Sequence, residues 1–463
     1  MALKLSNLVR KVTDPIEASL LSDHYFSLQQ YLSYSDKLGL LQKSFSYRLT
    51  LQPEAEQPEI IFFLYSKACE RMLMPLLLNL LQRSEVKAQV RLTLVVLGNI
   101  HRLRLSPTYT EAIAVANCSI ERDYFSLIRA CAQPENKLVV MCLDHRARRE
   151  FHRCGIETAD KLRQCGVKTL SIQHGGTRQD SVQDLATAAS NRVLVWGQRV
   201  YRELIERYGV DKQRLRLVGN PLHDRLAQLE PTQVKETLLR TYPHLRSQLC
   251  HKRLILLATT VQAEYADQPN EQALYREYVS HVYNSIDFSQ YVLVVKMHPL
   301  DSLDPNLYRE LIPTAVTDSV VVVEPSQIEL DVYSLLSVAD LLITRASTVA
   351  EEALIMQRSV IAFDLRPEGP AKGYKHLEEY GSFMTVYRQP ANQLKEAIAA
   401  VFETPQVSRQ SLDTTAELTY RLDGQSTARA ADALLIELGW PQPEPLSTAQ
   451  MANPYKAEAS TPA

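Results

Sequence analysis

The chain has 463 residues, too many for one ordinary core, and at ~150 residues per domain it predicts two or three units. Lys and Arg number 51 against 53 Asp and Glu, a net charge of −2, which excludes the single-sign field that a nucleic-acid or anionic-membrane partner calls for. Hydrophobic residues at 45% and charged residues at 22% give a soluble globular profile, and only 14 glycines argue against propellers, β-helices and glycine-rich repeats.

The N-terminus lacks the basic-then-apolar pattern of a signal peptide. Asp14-Pro15-Ile16-Glu17 reads as a capping box with proline at the first helical position, so a helix should begin there. Phe45, Tyr47, Leu49 and Leu51 alternate with polar neighbours, a period-two pattern that predicts a strand over 44–51. The apolar stretch 71–83 is too short for a bilayer span of ~20 residues and is broken by Pro75 and Asn79, which makes 72–81 a core helix. The seven cysteines form no CxxC pair, and their odd count predicts free thiols in a reducing cytosol.

A rhythm then sets in. Continuous apolar runs at 60–64, 90–97, 138–143, 167–172 and 193–196 alternate with amphipathic stretches such as 151–165 and 199–208. Runs without polar alternation are what parallel strands look like when helices cover both faces. The rhythm pauses around Val218-Gly219-Asn220-Pro221 and through the polar stretch 226–251. It restarts with runs at 254–258, 291–295, 320–323, 341–343 and 360–363, separated by helical stretches at 271–285, 329–337 and 348–356. The fold class is therefore α/β, with two Rossmann-like domains in tandem and a cleft between them.

The divisions are an accessory segment 1–57, an N-terminal Rossmann-like domain 58–225, a linker 226–251 and a C-terminal Rossmann-like domain 252–422. A helix at 423–440 follows and packs back, before a disordered tail at 441–463 rich in Pro, Ala, Ser and Thr.

Ligands of open parallel sheets bind at the carboxyl ends of strands, and three such ends carry reactive residues. In Gln173-His174-Gly175-Gly176, glycine lets a ligand approach the main chain, and His174 has the ordinary pKa of roughly 6.5 that suits a general base. The alternative is a βα turn in which His174 caps something local. In Lys296-Met297-His298-Pro299, lysine and histidine share a face and could hold a phosphate or leaving-group oxygen, unless this is only a strand-terminal turn. In Thr344-Arg345-Ala346-Ser347-Thr348, a strand runs into a helix whose start offers N–H groups, hydroxyls and a positive dipole end. Thr348 and Glu351 predict a capping box, which leaves Glu352 for a ribose diol; the alternative is a well-capped junction and nothing more.

Neither a Walker A loop nor a GxGxxG is present, which argues against ordinary ATPase or dinucleotide chemistry. The lack of an Asp-x-Asp motif argues against a metal-chelated diphosphate. Cys142, His145, His152 and Cys154 read as core cysteines and surface histidines without zinc spacing. Arg146, Arg148, Arg149 and Arg153 read as a solvated helix face or as a contact for an anionic acceptor such as a lipid phosphate.

Four pieces together, Gln173-His174-Gly175, Val218-Gly219-Asn220-Pro221 with Asp224, Lys296–Pro299 and the run 344–353, resemble GT-B-fold nucleotide-sugar proteins of bacterial surface and capsular polysaccharide synthesis. The chain is similar to capsule-type glycosyltransferases, CDP-glycerol glycerophosphotransferases and non-hydrolysing UDP-N-acetylglucosamine 2-epimerases over roughly residues 58 to 440. The resemblance implies a donor nucleotide bound by the C-terminal domain. His298 and Lys296 would lie near donor phosphate or sugar, Ser347 and Thr348 on phosphate, Arg345 beside it, and Glu352 on the ribose. His174, followed by Gly175, would activate an acceptor hydroxyl.

Two departures matter. Where the epimerases show Asp-Ser-Gly-Gly, this chain has Arg345-Ala346-Ser347-Thr348, and their acidic and histidine N-domain motifs are missing. The tyrosine-serine-serine variant of the glycerophosphotransferases is also absent. A metal-independent glycosyltransferase acting on a glycan or lipid-linked acceptor is therefore expected. It would use a nucleotide sugar as substrate and no cofactor, in the cytoplasm with room for peripheral contact at the inner membrane face. An epimerase or hydrolase, or a non-catalytic scaffold, is the alternative.

Overall fold

The computed structural model describes residues 28, 32–50, 57–97, 105–116, 118–260, 271–298, 305–345, 347–390, 392–403 and 413–440. The helix expected at Asp14-Pro15 and the tail expected at 441–463 lie outside these residues.

Strands β1 (Glu59–Leu64), β2 (Arg91–Val96), β3 (Ser119–Glu121), β4 (Lys137–Met141), β5 (Lys168–Ile172), β6 (Arg192–Val195) and β7 (Leu215–Leu217) form one sheet in the order β3-β2-β1-β4-β5-β6-β7. Strands β8 (Arg253–Ala258), β9 (Tyr291–Lys296), β10 (Val320–Val323), β11 (Leu341–Thr344), β12 (Ser359–Asp364) and β13 (Phe383–Tyr387) form a second, ordered β10-β9-β8-β11-β12-β13. Both are parallel and both carry the doubly wound 3-2-1-4-5-6 order, so the α/β fold with two Rossmann-like sheets is as expected.

The second sheet shows why its strands read as unbroken apolar runs. Leu254, Leu256, Val292, Val294, Leu342 and Val360 pack into one core cluster. The alternate residues Ile255, Leu257, Leu293, Val295, Ile343 and Ile361 pack into another. Successive side chains point to opposite faces, and here both faces are buried.

The chain divides into two compact units, one of residues 1–141, 157–171 and 428–463 and one of 142–156 and 172–427. In the first, the helix Lys67–Gln82 buries Met72, Leu73, Leu76, Leu77 and Leu80, as its reading as a core helix predicts. Arg83 reaches from its end to Asp432 Oδ1 at 2.6 Å, and Lys168 donates to the Glu437 carbonyl at 2.8 Å, tying down the helix Ser426–Leu438. In the second, Leu238 and Leu245, on the stretch 226–251 read as a linker, belong to the core with Leu254.

Residue 51 of the strand expected at 44–51 lies outside the described residues, and residues 44–50 are instead part of a helix, Tyr34–Thr50. Its buried positions Lys37, Leu40 and Ser44 recur at three- and four-residue spacing, so the helical period overrides the local alternation. No helix among the described residues is long and apolar enough to cross a membrane.

Candidate functional site

The second unit brings the carboxyl ends of β8, β9, β11 and β12 together with the loop after β5. Gln173 fixes the start of that loop. Its main-chain N–H donates to Leu194 O at 2.9 Å, its side-chain oxygen accepts from Trp196 N at 2.9 Å, and its amide donates to Gly175 O at 2.7 Å.

His174 follows, half-buried, with no partner for its Nδ1. Its ring centroid lies 5.0 Å from that of His145 and 6.0 Å from that of His152. Desolvation, with smaller contributions from His145, His152 and Arg148, pushes the His174 pKa down to about 3. The ordinary value assumed from sequence is thus corrected: the imidazole is neutral throughout the physiological range.

His145 and His152 are not surface residues either. They are 1% and 8% exposed, their rings packed against each other at 5.1 Å, and next to His145 Asp144 accepts from Ser190 N at 2.8 Å and Ser190 Oγ at 2.6 Å. Burial lowers His145 to about 4. Among the described residues, no group of three or more His, Cys, Asp or Glu side chains is arranged to hold a metal ion.

Gly176 is required by what it faces. A Cβ there would lie 2.7 Å from Glu351 Cδ. Glu351 accepts from Thr177 N at 2.7 Å and Thr177 Oγ1 at 3.0 Å, and Thr177 Oγ1 also meets His376 Nε2 at 2.8 Å. This corrects the capping box. The helix is Val349–Ile355; Thr348 already has helical backbone angles and makes no side-chain cap bond, and the Glu351 carboxylate is taken by the loop after β5. Burial raises the Glu351 pKa to about 7, against the two Thr177 bonds that lower it.

Glu352 sits beside a second set of polar groups. Tyr333 Oη donates to its Oε1 at 3.1 Å, and His223 Nε2 lies 3.6 Å away. The His223 tautomer follows from its neighbours. Asn220 Oδ1 accepts from Leu222 N, so the Asn220 amide nitrogen is the atom donating to His223 Nε2 at 2.9 Å. Nδ1 then carries the proton and donates to Thr419 Oγ1 at 2.9 Å. Asp224 accepts from Ser426 N and Thr427 N, both at 2.7 Å, at the start of the last helix. Gly219 has φ +90°, and a Cβ there would lie 3.0 Å from Ser426 Cβ. Half of the Gly219–Asp224 motif is therefore scaffolding, and the other half places His223 next to Glu352.

At the end of β9, His298 N donates to Thr259 Oγ1 at 2.9 Å. Lys296 is 6% exposed and donates to the Glu324 carbonyl at 2.8 Å, with burial lowering its pKa below the usual lysine range. Arg345 does not stand open to a phosphate. It is 1% exposed, and its Nε lies 3.2 Å from Asp364 Oδ2. Ser347 is half-buried with Val349 N 3.4 Å from its Oγ, and Thr348 is exposed.

Thr177, His223, Tyr333 and His376 were not singled out from sequence. Thr177 and His223 lie within two or three residues of named motifs and could have been; nothing near Tyr333 or His376 marks them.

A family model described as UDP-N-acetylglucosamine 2-epimerase matches residues 173–434. No curated protein matches the sequence. Among solved structures, UDP-GlcNAc 2-epimerase from Neisseria meningitidis bound to UDP-GlcNAc is 13% identical with a TM-score of 0.51, covering 82% of this chain and 100% of that one. The S. aureus MnaA–UDP structure is 14% identical with a TM-score of 0.53, over 84% and 99%. The Methanocaldococcus jannaschii UDP-GlcNAc 2-epimerase in complex with UDP-GlcNAc and UDP is 15% identical with a TM-score of 0.50, over 82% and 99%.

Proposed function

The chain belongs to the UDP-N-acetylglucosamine 2-epimerase family, and from that premise we propose that it is a nucleotide-sugar enzyme of GT-B type that transfers the sugar to a hydroxyl of a surface glycan or glycolipid. The observation that carries this reading is the contrast between one imidazole and three carboxylates. His174 Nδ1 has no partner, as is true of both His145 ring nitrogens and His152 Nδ1, but of the three rings only that of His174 belongs to a residue that is not fully buried; Glu351 is held by Thr177, Glu352 by Tyr333 and Asp364 by Arg345. A transferase needs a neutral base facing an acceptor hydroxyl, which is a weaker demand than removing a proton from carbon.

In the proposed step the acceptor O–H gives its proton to His174 as its oxygen bonds to the anomeric carbon. The bond from that carbon to the nucleotide oxygen breaks, and the nucleoside diphosphate leaves with the electron pair. His298 and the hydroxyls of Ser347 and Thr348 stabilise the leaving phosphate, Lys296 adds positive charge, and Glu352 with His223 takes the ribose. A resting pKa of about 3 makes His174 a weak base. The negative charge of a bound diphosphate raises it, so donor binding switches the base on.

Epimerisation is the second reading, favoured by the family match and by Glu351, a buried carboxyl group with a pKa near 7 that can serve as an acid. Calorimetric titration with UDP, CDP, CMP and GDP, on the native chain and on His298→Ala, tests the donor site. Selective binding to one of them, weakened in the variant, supports it, and no binding by the folded protein overturns it. Incubation of UDP-sugars alone separates the two reactions: a changed sugar without acceptor favours the epimerase. Retained nucleotide binding with lost turnover in His174→Ala supports the assigned base, and full activity removes it.

A further inference from the structure

The Thr177 hydroxyl stands between two titratable side chains, 3.0 Å from Glu351 Oε1 and 2.8 Å from His376 Nε2. A hydroxyl has one proton to donate, so it can serve the carboxylate or the imidazole but not both at once. The Gly373 main chain also bonds the His376 ring in the sense that favours its protonated form, as a carbonyl accepting a ring N–H does. Since Nε2 faces Thr177, Nδ1 is the nitrogen that donates to Gly373. Nε2 is then an acceptor, and Thr177 gives it its proton. In this arrangement a neutral Glu351 carboxyl group supplies the proton of the Thr177–Glu351 contact, in place of the bond from Thr177 Oγ1 to the carboxylate described above.

Loss of that proton inverts the sequence. An ionised Glu351 draws the Thr177 hydroxyl toward itself, because a charge-assisted bond is the stronger one. His376 can then keep a bond to Thr177 Oγ1 only by carrying its proton on Nε2, which gives up the bond to Gly373. One proton leaves Glu351 for solvent, and the imidazole stays neutral in both arrangements.

We propose that Glu351, Thr177 and His376 form a reversible hydrogen-bond chain whose direction is set by the protonation of Glu351, and that it positions the loop carrying His174 against the segment 370–380. These are positioning residues. The Thr177 N–H bond to Glu351 at 2.7 Å is common to both arrangements and holds the loop, while the outer link to Gly373 is made in one and broken in the other. The surrounding charges bear on both ends. Around Glu351, Glu352 opposes ionisation and Arg199 favours it; around His376, Arg199 and Arg178 both oppose protonation. Arg199 is itself paired with Glu379, and Arg178 with Asp180 while lying 5.7 Å over the Tyr374 ring. With Glu351 raised to about 7, both directions are populated near neutrality.

Any effect on turnover rests on the reading of His174 as the base, but the chain itself does not, so the experiment reads the chain directly. The full-length protein is labelled with 15N-histidine, His376 is assigned with a His376→Gln variant, and its tautomer is followed from pH 5 to 9. The expected result is Nδ1–H at the acid end, passing to Nε2–H with a midpoint near 7. Thr177→Ser keeps the transition. Glu351→Gln, which has no proton to lose, holds a single tautomer throughout, and Thr177→Val likewise loses the transition. An unchanging tautomer in the native chain, or the same midpoint in Glu351→Gln, overturns the proposal. If Thr177→Val does not fold, the comparison with Glu351→Gln decides alone. Failure of nucleotide binding would leave this result untouched.

Discussion

Gly176 and Glu351, far apart in sequence, are in atomic contact: the space a Cβ would occupy on residue 176 is already filled by the Glu351 carboxyl group. Because Thr177 holds that carboxyl in place, it cannot swing aside. Gly176→Ala should destabilise the fold by about 1–3 kcal/mol, the usual cost of overpacking. Gly175→Ala should cost less, since its Cβ would meet only the Ser181 side chain, at 3.2 Å. Urea midpoints of the two variants check the order.

Arg345 and Asp364 form a pair at 1% and 0% exposure. Asp364 also lies close to Ala371 N, at 3.4 Å. Removing one partner of a buried pair leaves an uncompensated charge, so Arg345→Met should cost about 3–5 kcal/mol. Asp364→Asn should be similarly harmful, and the double variant should cost clearly less than the sum of the singles. Additive losses in a double-mutant cycle would show that the pair is not coupled.

The buried titratable groups set opposing slopes of stability with pH. Glu351, raised from 4.5 to about 7, contributes stability that is full below 4.5 and lost as pH climbs toward 7. His145, His174 and His376, lowered from 6.5 to about 4, 3 and 4, contribute stability present above 6.5 and lost as pH falls toward those values. Three rising slopes outweigh one falling slope between pH 4.5 and 6.5, so the melting temperature should rise across that window. In Glu351→Gln the rise should be steeper, because the opposing slope is gone. Parallel curves would show that Glu351 titrates normally.

Asp224 accepts two main-chain N–H groups at the start of the last helix. Asp224→Ala should lose about 1–2 kcal/mol, the value of a strong N-cap. Amide exchange of Thr427 and its neighbours should accelerate, while Asp224→Asn, which keeps an acceptor, should retain part of the protection.

The central strands were legible because both of their faces are buried, which leaves a continuous apolar run in the sequence, whereas β3, β7 and β13 are partly exposed, leave no such run and were not read. The sheet ends were legible for the same reason: His174, His298 and Arg345 each stand where such a run stops. What those residues touch was not. The capping box at Thr348 and Glu351 obeys a local rule, and a partner on another loop, Thr177, defeats it. His145 and His152 read as surface residues because what covers them includes His174, on the loop after β5, a contact with no local signature. Arg345 is an acceptable strand-end cation until Asp364, on the neighbouring strand, is seen to claim it. The helix Tyr34–Thr50 misreads as a strand because a short alternating stretch fits both periods over a few residues.

The first unit has a consequence for how the protein is made. It contains residues 428–438, where Ala430, Ala431, Leu434 and Leu435 are fully buried and Asp432 meets Arg83. Its sheet strands β1 to β5 leave the ribosome long before that helix does, and at roughly 5–20 residues per second the delay runs to tens of seconds. During that interval the surface that receives the helix is bare, so the nascent chain offers chaperones an apolar face that the finished protein never shows.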